Sequence, residues 1–372
     1  MSAMKLSDLV NHLEYSVPPS FQESYDNSGL QVGEMNKEIN SALLSLDVTE
    51  NVIDEALSKG CDLVITHHPL IFGGLKRISG RTEVERVVLK AIQNNISIYS
   101  MHTNLDIVKG GVSYRMAEKL GLENIIPLVP LEGNLLKLAV FVPLDYADKV
   151  RAALFNAGAG NIGNYDRCSY NIEGYGTFRA GPGTDPFTGD QNSDHSEKEI
   201  RVETVLPVHL KSKVIKSMIE AHPYEEVAFD IFKIENAVPG AGLGCIGDLN
   251  KAVEEKELLE SVSAIFNAKG IRHTSFRGSK VMRVAVMGGS GAGYTGMARS
   301  AGADAYITAD IKYHSFFEGR SDMLIADIGH YESELPALEI INELITKKFP
   351  KFAVRFSEIN TNPVNYLQAW KK

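Results

Sequence analysis

Cysteine is scarce in this chain of 372 residues, and the three present, Cys61, Cys168 and Cys245, are far apart. No two form a Cys-x-x-Cys pair, so neither a disulfide framework nor a structural zinc ribbon is expected, and a reducing cytoplasm is the default compartment. No apolar stretch reaches membrane-spanning length, and the opening MSAMKLSDLVNHLEYSVPP lacks a signal peptide's apolar core. The expectation is a cytoplasmic protein with no membrane partner. Positive charge is also in deficit, with 38 Lys and Arg against 47 Asp and Glu for a net of −9. That opposes a chain-wide nucleic-acid footprint. Binding of nucleic acid through a ring would need basic residues such as Lys76, Arg77 and Arg81 to cluster at a cavity mouth. The single tryptophan, Trp370, reads as a packing residue. What remains is an ordinary globular composition, 44% apolar and 23% charged, long enough for two or three domains.

Along the chain, three textures alternate. Residues 4–16 have the spacing of an amphipathic helix, and Asp26–Gly33 reads as a turn feeding a short strand. Ala42–Leu46 is a buried strand, Asp47-Val48-Thr49-Glu50 has capping-box spacing, and Gly60 ends the helix that follows. The apolar run Asp62–Ile65 completes a βαβ unit, so its two strands should be parallel. A helix at Arg81–Asn94 leads to a strand at Ile96–Ser100 and a helix at Val112–Leu120. From about residue 131 to 245 the order is β-α-β-β-α-β, that of a ferredoxin-like domain, broken by a polar loop at Gly181–Glu197. Gly240–Gly244 reads as the linker out of it. The remainder, 246–372, returns to the first texture. Glu55–Thr66 aligns without gaps on Met297–Thr308, with Ala, Ser, Gly, Asp, Ile and Thr coinciding, and Ala42–Leu46 matches Val284–Gly288 at the same offset. The predicted class is therefore α/β: two related lobes, 1–130 and 246–372, with an α+β domain inserted at 131–245.

Three strand ends in these lobes carry ligand-type side chains. The first is His67-His68-Pro69, the second His102-Thr103-Asn104-Leu105-Asp106, and the third His330 with Glu334 four residues on. An i,i+4 pair shares one helix face, as chelation requires. Singly, each has a plainer reading: a core histidine beside an exposed one, an N-cap or turn aspartate, a surface His–Glu pair. Jointly they are five groups of mixed imidazole and carboxylate, more than one four-coordinate structural zinc uses. Such a set suits two adjacent divalent ions bridged by a carboxylate. Ala309-Asp310 aligns opposite His67-His68, which would turn His314 toward the same cavity as a general base or substrate contact; a satisfied polar residue near a helix start is the alternative. Gly288–Gly293 reads first as a tight strand-to-helix turn and second as a phosphate or substrate loop, since it lacks the Lys-Ser/Thr of a P-loop.

These motifs, in this order and over nearly the whole chain, resemble the NIF-three-like (NGG-interacting-factor-three-like) family, also called GTP cyclohydrolase I type 2 homologues. The resemblance implies an α/β core around a dinuclear metal site with His67, His68, Asp106, His330 and Glu334 as ligands. It places His102 beside the ions. The middle section is similar to the PII-like or CutA-like insert of the longer members. A homohexameric toroid with sites facing an internal cavity is implied as well. The leading expectation is a metal-dependent hydrolase of a nucleotide or similar small molecule, GTP being the named candidate, with His102 or His314 moving protons. The rival is a metal-binding regulatory or scaffold protein whose insert senses a small molecule without catalysis. Zinc or iron is the expected metal, with manganese, cobalt and nickel also compatible with ligands that include no thiolate.

Overall fold

In the computed structural model, which describes residues 4–319 and 322–367, the chain divides into two compact units. One runs to Pro130 and resumes at Gly240; the other is Leu131–Pro239. Trp370 lies outside the described residues.

The first unit contains two sheets built to one plan. In one sheet, parallel strands Ser41–Ser45, Leu63–Thr66 and Ser97–Ser100 lie side by side, with Gly29–Val32 antiparallel at one edge. In the other, Lys280–Val286, Ala305–Thr308 and Leu324–Asp327 are parallel in the same way. The aligned residues do the same work in both. Gly60 and Gly302 turn the chain with φ of 65° and 78°, where a side chain is disfavoured. Asp62 accepts the amide of Asn40 at 2.7 Å, and Asp304 accepts that of Met282 at 2.9 Å, at the same sequence offset. Apolar residues of both lobes are wholly buried, among them Leu44, Leu63 and Ile65 in one core and Val284, Val286 and Ile307 in the other.

The lobes exchange strands, which the sequence did not suggest. Ala353–Phe356, near the end of the chain, pairs parallel with Ser41–Ser45 in the first sheet. Glu123–Pro130 joins the second sheet through Gly242–Glu254. That second strand also corrects the insert's boundary. Gly242 and Leu243, read as linker, pair with Pro130 and Val129, and the next paired residue, Cys245, lies between Pro127 and Val286. Gly242 is required by close approach, since an ideal Cβ there would lie 2.8 Å from Pro127 Cβ. Its presence marks packing rather than flexibility.

The inserted unit is an antiparallel sheet in the order Phe229–Ile234, Leu135–Pro143, Asp194–Pro207, Tyr170–Arg179. With helices Ala147–Asn156 and Lys211–Ala221 in the chain order, this is the ferredoxin-like connectivity expected. Val150, Leu154, Val214 and Met218 of the helices bury Val140, Val142, Val202 and Leu206 on one sheet face.

Candidate metal centre

Three parallel strands of the first unit lead into one polar cluster. His67 and His68 follow Leu63–Thr66, while His102 and Asp106 follow Ser97–Ser100, with Asp106 inside the short helix Thr103–Ile107. His330 and Glu334 occupy one turn of helix after Leu324–Asp327. The five residues predicted as ligands are thus brought together from both lobes.

Each histidine is fixed through its Nδ1. His67 Nδ1 donates to the Met101 carbonyl at 2.7 Å, His68 Nδ1 to Asp47 at 2.7 Å, His102 Nδ1 to Asp26 at 2.8 Å, and His330 Nδ1 to Asp310 at 2.7 Å. A carbonyl or carboxylate can only accept, so in the neutral rings every Nε2 is left with its lone pair. This is the arrangement by which proteins orient metal-binding imidazoles. The free nitrogens face inward. Ligating atoms of His67, His68 and His102 lie within 4.8 Å of one another, as do those of His68, His330 and Glu334.

Left to hydrogen bonds alone, the centre is unbalanced. His67 Nε2 and Asp106 Oδ1 are buried without a hydrogen-bond partner, and buried Glu334 Oε2 has the ring nitrogens of His68 and His330 beside it. His67 Nε2 stands 3.7 Å from Asp106 and 3.8 Å from Glu334, distances that a direct hydrogen bond does not span. His68 Nε2 and His330 Nε2 are 3.2 Å apart, and both lie within 3.0 Å of Glu334 Oε2. Three electron-pair donors converging at that range need positive charge among them. Protons can supply some of it. Burial favours neutral His68, but Asp47 and Glu334 outweigh burial and raise its pKa to about 10; the same balance, with Glu334 and Asp310, raises His330 to about 9. Burial together with the nearby Glu334 charge pushes Asp106 up to about 7, against the pull of His67. Burial also opposes ionisation of Glu334, yet the surrounding histidines hold it well below the usual carboxylate range. Imidazole and carboxylate donors gathered dry, with bare ligand atoms, fit divalent cations better than protons.

Several expectations are refined by this geometry. His102, expected beside the ions, sits within ligating distance of His67 and His68. His314 joins neither ligand group; it is exposed, with its ring against Tyr313 and Phe317. Its aligned loop contributes Asp310 instead. In Gly288–Gly293 the amides of Gly288, Gly289 and Gly291 are given to Ser113, Ser333 and Thr308, within the protein. It is the tight turn of the first reading. Asp47, read as part of a capping box, holds His68 while Thr49 caps the helix by accepting from Val52. The orienting carboxylates Asp26, Asp47 and Asp310 had no spacing signature, since each meets its histidine across 20 residues or more.

Beside His68 and His330 lies a cavity of about 450 Å³, lined also by Asp47, Asp310, Tyr331 and Tyr366. Its one arginine, Arg272, is ion-paired with Asp327 and donates to the Ile311 carbonyl at 3.0 Å.

Comparison with known proteins agrees with the motifs. The Duf34/NIF3 (NGG1p interacting factor 3) family matches residues 4–363. A protein of Bacillus subtilis named GTP cyclohydrolase 1 type 2 homolog is 39% identical over 369 residues, covering 96% of this chain and 98% of its own. A protein of the same name from Halalkalibacterium halodurans is 39% identical over 355 residues, covering 94% and 95%. The crystal structure of a Bacillus cereus protein related to NIF3 superposes with a TM-score of 0.85 at 36% identity, covering 99% of this chain and all of that one. On sequence, on length and on fold, the chain belongs to the Duf34/NIF3 family.

Proposed function

We propose that the first unit binds two divalent metal ions and acts as a metal-dependent hydrolase on a nucleotide-like small molecule. The observation that carries the metal assignment is the convergence of His67 Nε2 and Asp106 Oδ1, both buried and unpartnered, with the Glu334 carboxylate and the Nε2 atoms of His68, His102 and His330. His67, His68, Asp106, His330 and Glu334 would be the protein ligands, with His102 close enough to be a sixth. When bound, such ions lower the pKa of water and stabilise charge on attacking and leaving oxygens. The chain's own contribution is orientation. Asp47, Asp26 and Asp310 lock three imidazoles in the ligating tautomer, and the Met101 carbonyl locks the fourth. The 450 Å³ cavity would receive the substrate, with Arg272 as the group able to meet an anionic substituent.

The relatives' name, GTP cyclohydrolase 1 type 2 homolog, supports GTP as the first substrate to try. The same chemistry serves phosphoesters, so both belong in the assay. In this reading residues 131–239 are the PII/CutA-like insert of the longer family members, and the protein works as a homohexameric ring in the cytoplasm. Elemental analysis of protein purified without added metal should give near two zinc, iron or similar ions per chain. Glu334→Gln should lose them together with any hydrolysis. Full metal content in that variant would defeat the assignment. No stoichiometric metal in the wild type, even after reconstitution, would favour a regulatory or scaffold protein.

A further inference from the structure

A cavity of about 690 Å³ lies wholly within the inserted unit, on the sheet face opposite its helices. Phe141, Phe178, Phe187 and Tyr224 line it. Phe187 reaches it from the loop after Arg179 and packs 6.0 Å from the Tyr224 ring, while Phe178 packs 6.3 Å from the same ring. Glu199 also lines the cavity and is only 7% exposed. One oxygen of its carboxylate accepts the Tyr224 hydroxyl at 2.9 Å. No Lys, Arg or His comes within ion-pairing distance of it among the described residues, whereas most neighbouring charges are accounted for. Arg201 is paired with Glu203 at 2.8 Å and lies over the Phe141 ring, Arg179 donates to the Asn192 carbonyl at 3.2 Å, and Glu173 is paired with Lys198 at 3.1 Å. Gly176, on the adjacent strand, makes room for this carboxylate, since an ideal Cβ there would lie 2.7 Å from Glu199 Cδ.

A buried carboxylate without a cation is costly unless something positive joins it. Here the cavity that Glu199 lines is also lined by aromatic rings, whose faces attract cations and whose area favours carbon over water. Among the described residues, Glu199 belongs to no group of three or more His, Cys, Asp or Glu side chains close enough to hold a metal ion. We infer that this cavity is a binding site for a small organic cation, an ammonium or amidinium carrying apolar carbon, with Glu199 as its counter-ion and Phe178, Phe187 and Tyr224 as its walls. The site is separate from the proposed metal centre and does not depend on it.

The test is isothermal titration calorimetry on the full-length protein with two cations and their neutral isosteres: choline against 3,3-dimethylbutan-1-ol, and benzamidine against benzamide. At least one cation should bind in the millimolar range or tighter, with its isostere weaker by about tenfold or more, the scale of one charge-assisted contact. Glu199→Gln should bring the cation down to the isostere's affinity. Gly176→Ala should weaken it too, because the new methyl displaces the carboxylate without straining the strand. Both variants should keep the wild-type melting temperature and metal content. Binding of neither cation, equal binding of cation and isostere, or unchanged affinity in a folded Glu199→Gln protein would overturn the assignment. The wild-type comparison decides even if a variant fails to fold.

Discussion

Gly289 is a sharp test of how the proposed metal centre is built. Its φ is 63°, and an ideal Cβ there would lie 3.1 Å from Glu334 Cδ, closer still to Oε1, and 3.5 Å from His330 Cε1. Gly289→Ala therefore asks two things at once. The backbone must hold an L-residue in the left-handed region, at a cost of about 1–2 kcal/mol. The Glu334 carboxylate must also leave its place among His67, His68 and His330. Glu334 is buried and cannot retreat to water, so the displacement should be felt as misplaced ligands, an effect that typically lowers metal affinity about 10–100-fold. The control is Gly293→Ala in the same turn, where a Cβ meets nothing within 4 Å. It should stay within about 0.5 kcal/mol of wild type. Thermal melting read with and without metal, alongside metal titration against a competing chelator, separates the two costs. Strain alone would lower both melting temperatures equally. Ligand displacement would shrink the stabilisation that metal confers. A Gly289→Ala protein with wild-type affinity and an undiminished metal-induced rise would refute the placement of Glu334.

Other consequences are as direct. Asp47→Asn and Asp310→Asn each remove the anion that fixes a ligating ring, and each should weaken metal binding by about 10–100-fold while leaving the fold intact, as read by chelator competition and circular dichroism. Metal loading should release protons and tighten as pH rises from 7 toward 9–10, because in the metal-free protein His68 and His330 keep theirs to about 10 and about 9; calorimetry in buffers of different ionisation enthalpy counts them. Those raised values also stabilise the metal-free fold fully below the ordinary 6.5 and less as pH climbs through 9–10, so its melting temperature should fall there while that of the loaded protein holds. Asp62→Ala and Asp304→Ala, at equivalent places in the two lobes, should each cost about 1–2 kcal/mol in denaturant unfolding; a large inequality would contradict the equivalence.

Much of the candidate site was legible because the proposed ligands are local. His67-His68 and the His330–Glu334 turn declare themselves by adjacency and helical spacing, and strand ends are where α/β folds collect ligands. The orienting shell was illegible for the converse reason. Asp26 and His102 are 76 residues apart, and nothing in a turn of Asp-Asn-Ser-Gly says which distant ring it will hold. Asp47 was misread because a capping box needs only spacing, and Thr49, two residues on, satisfies the helix instead. The strand Glu123–Pro130 was hidden by its two prolines and by Asn124, which turns with φ of 51°. Composition likewise suggested a linker at Gly240–Gly244, where close backbone approach is the reason for glycine.

The internal repeat, finally, accounts for the asymmetry of the centre. At the constant offset of the alignment, Asp47 in the first lobe corresponds to Gly289 in the second, and His68 to Asp310. Where the first lobe places a proposed ligand, His68, the second places a carboxylate that orients another, His330. Where the first lobe places the orienting carboxylate, Asp47, the second places the residue with no side chain at all, and the space so left is filled by Glu334. Two identical lobes would set Asp against Asp and His against His across the centre and leave no space for Glu334. Divergence at these two pairs converts a symmetric frame into one in which the buried Glu334 carboxylate lies among His67, His68 and His330. Restoring the symmetry by Gly289→Asp should therefore abolish metal binding more completely than Gly289→Ala, since it adds a second buried negative charge beside Glu334. If Gly289→Asp instead binds metal as well as Gly289→Ala does, the void beside Glu334 is not what the divergence of the lobes was for.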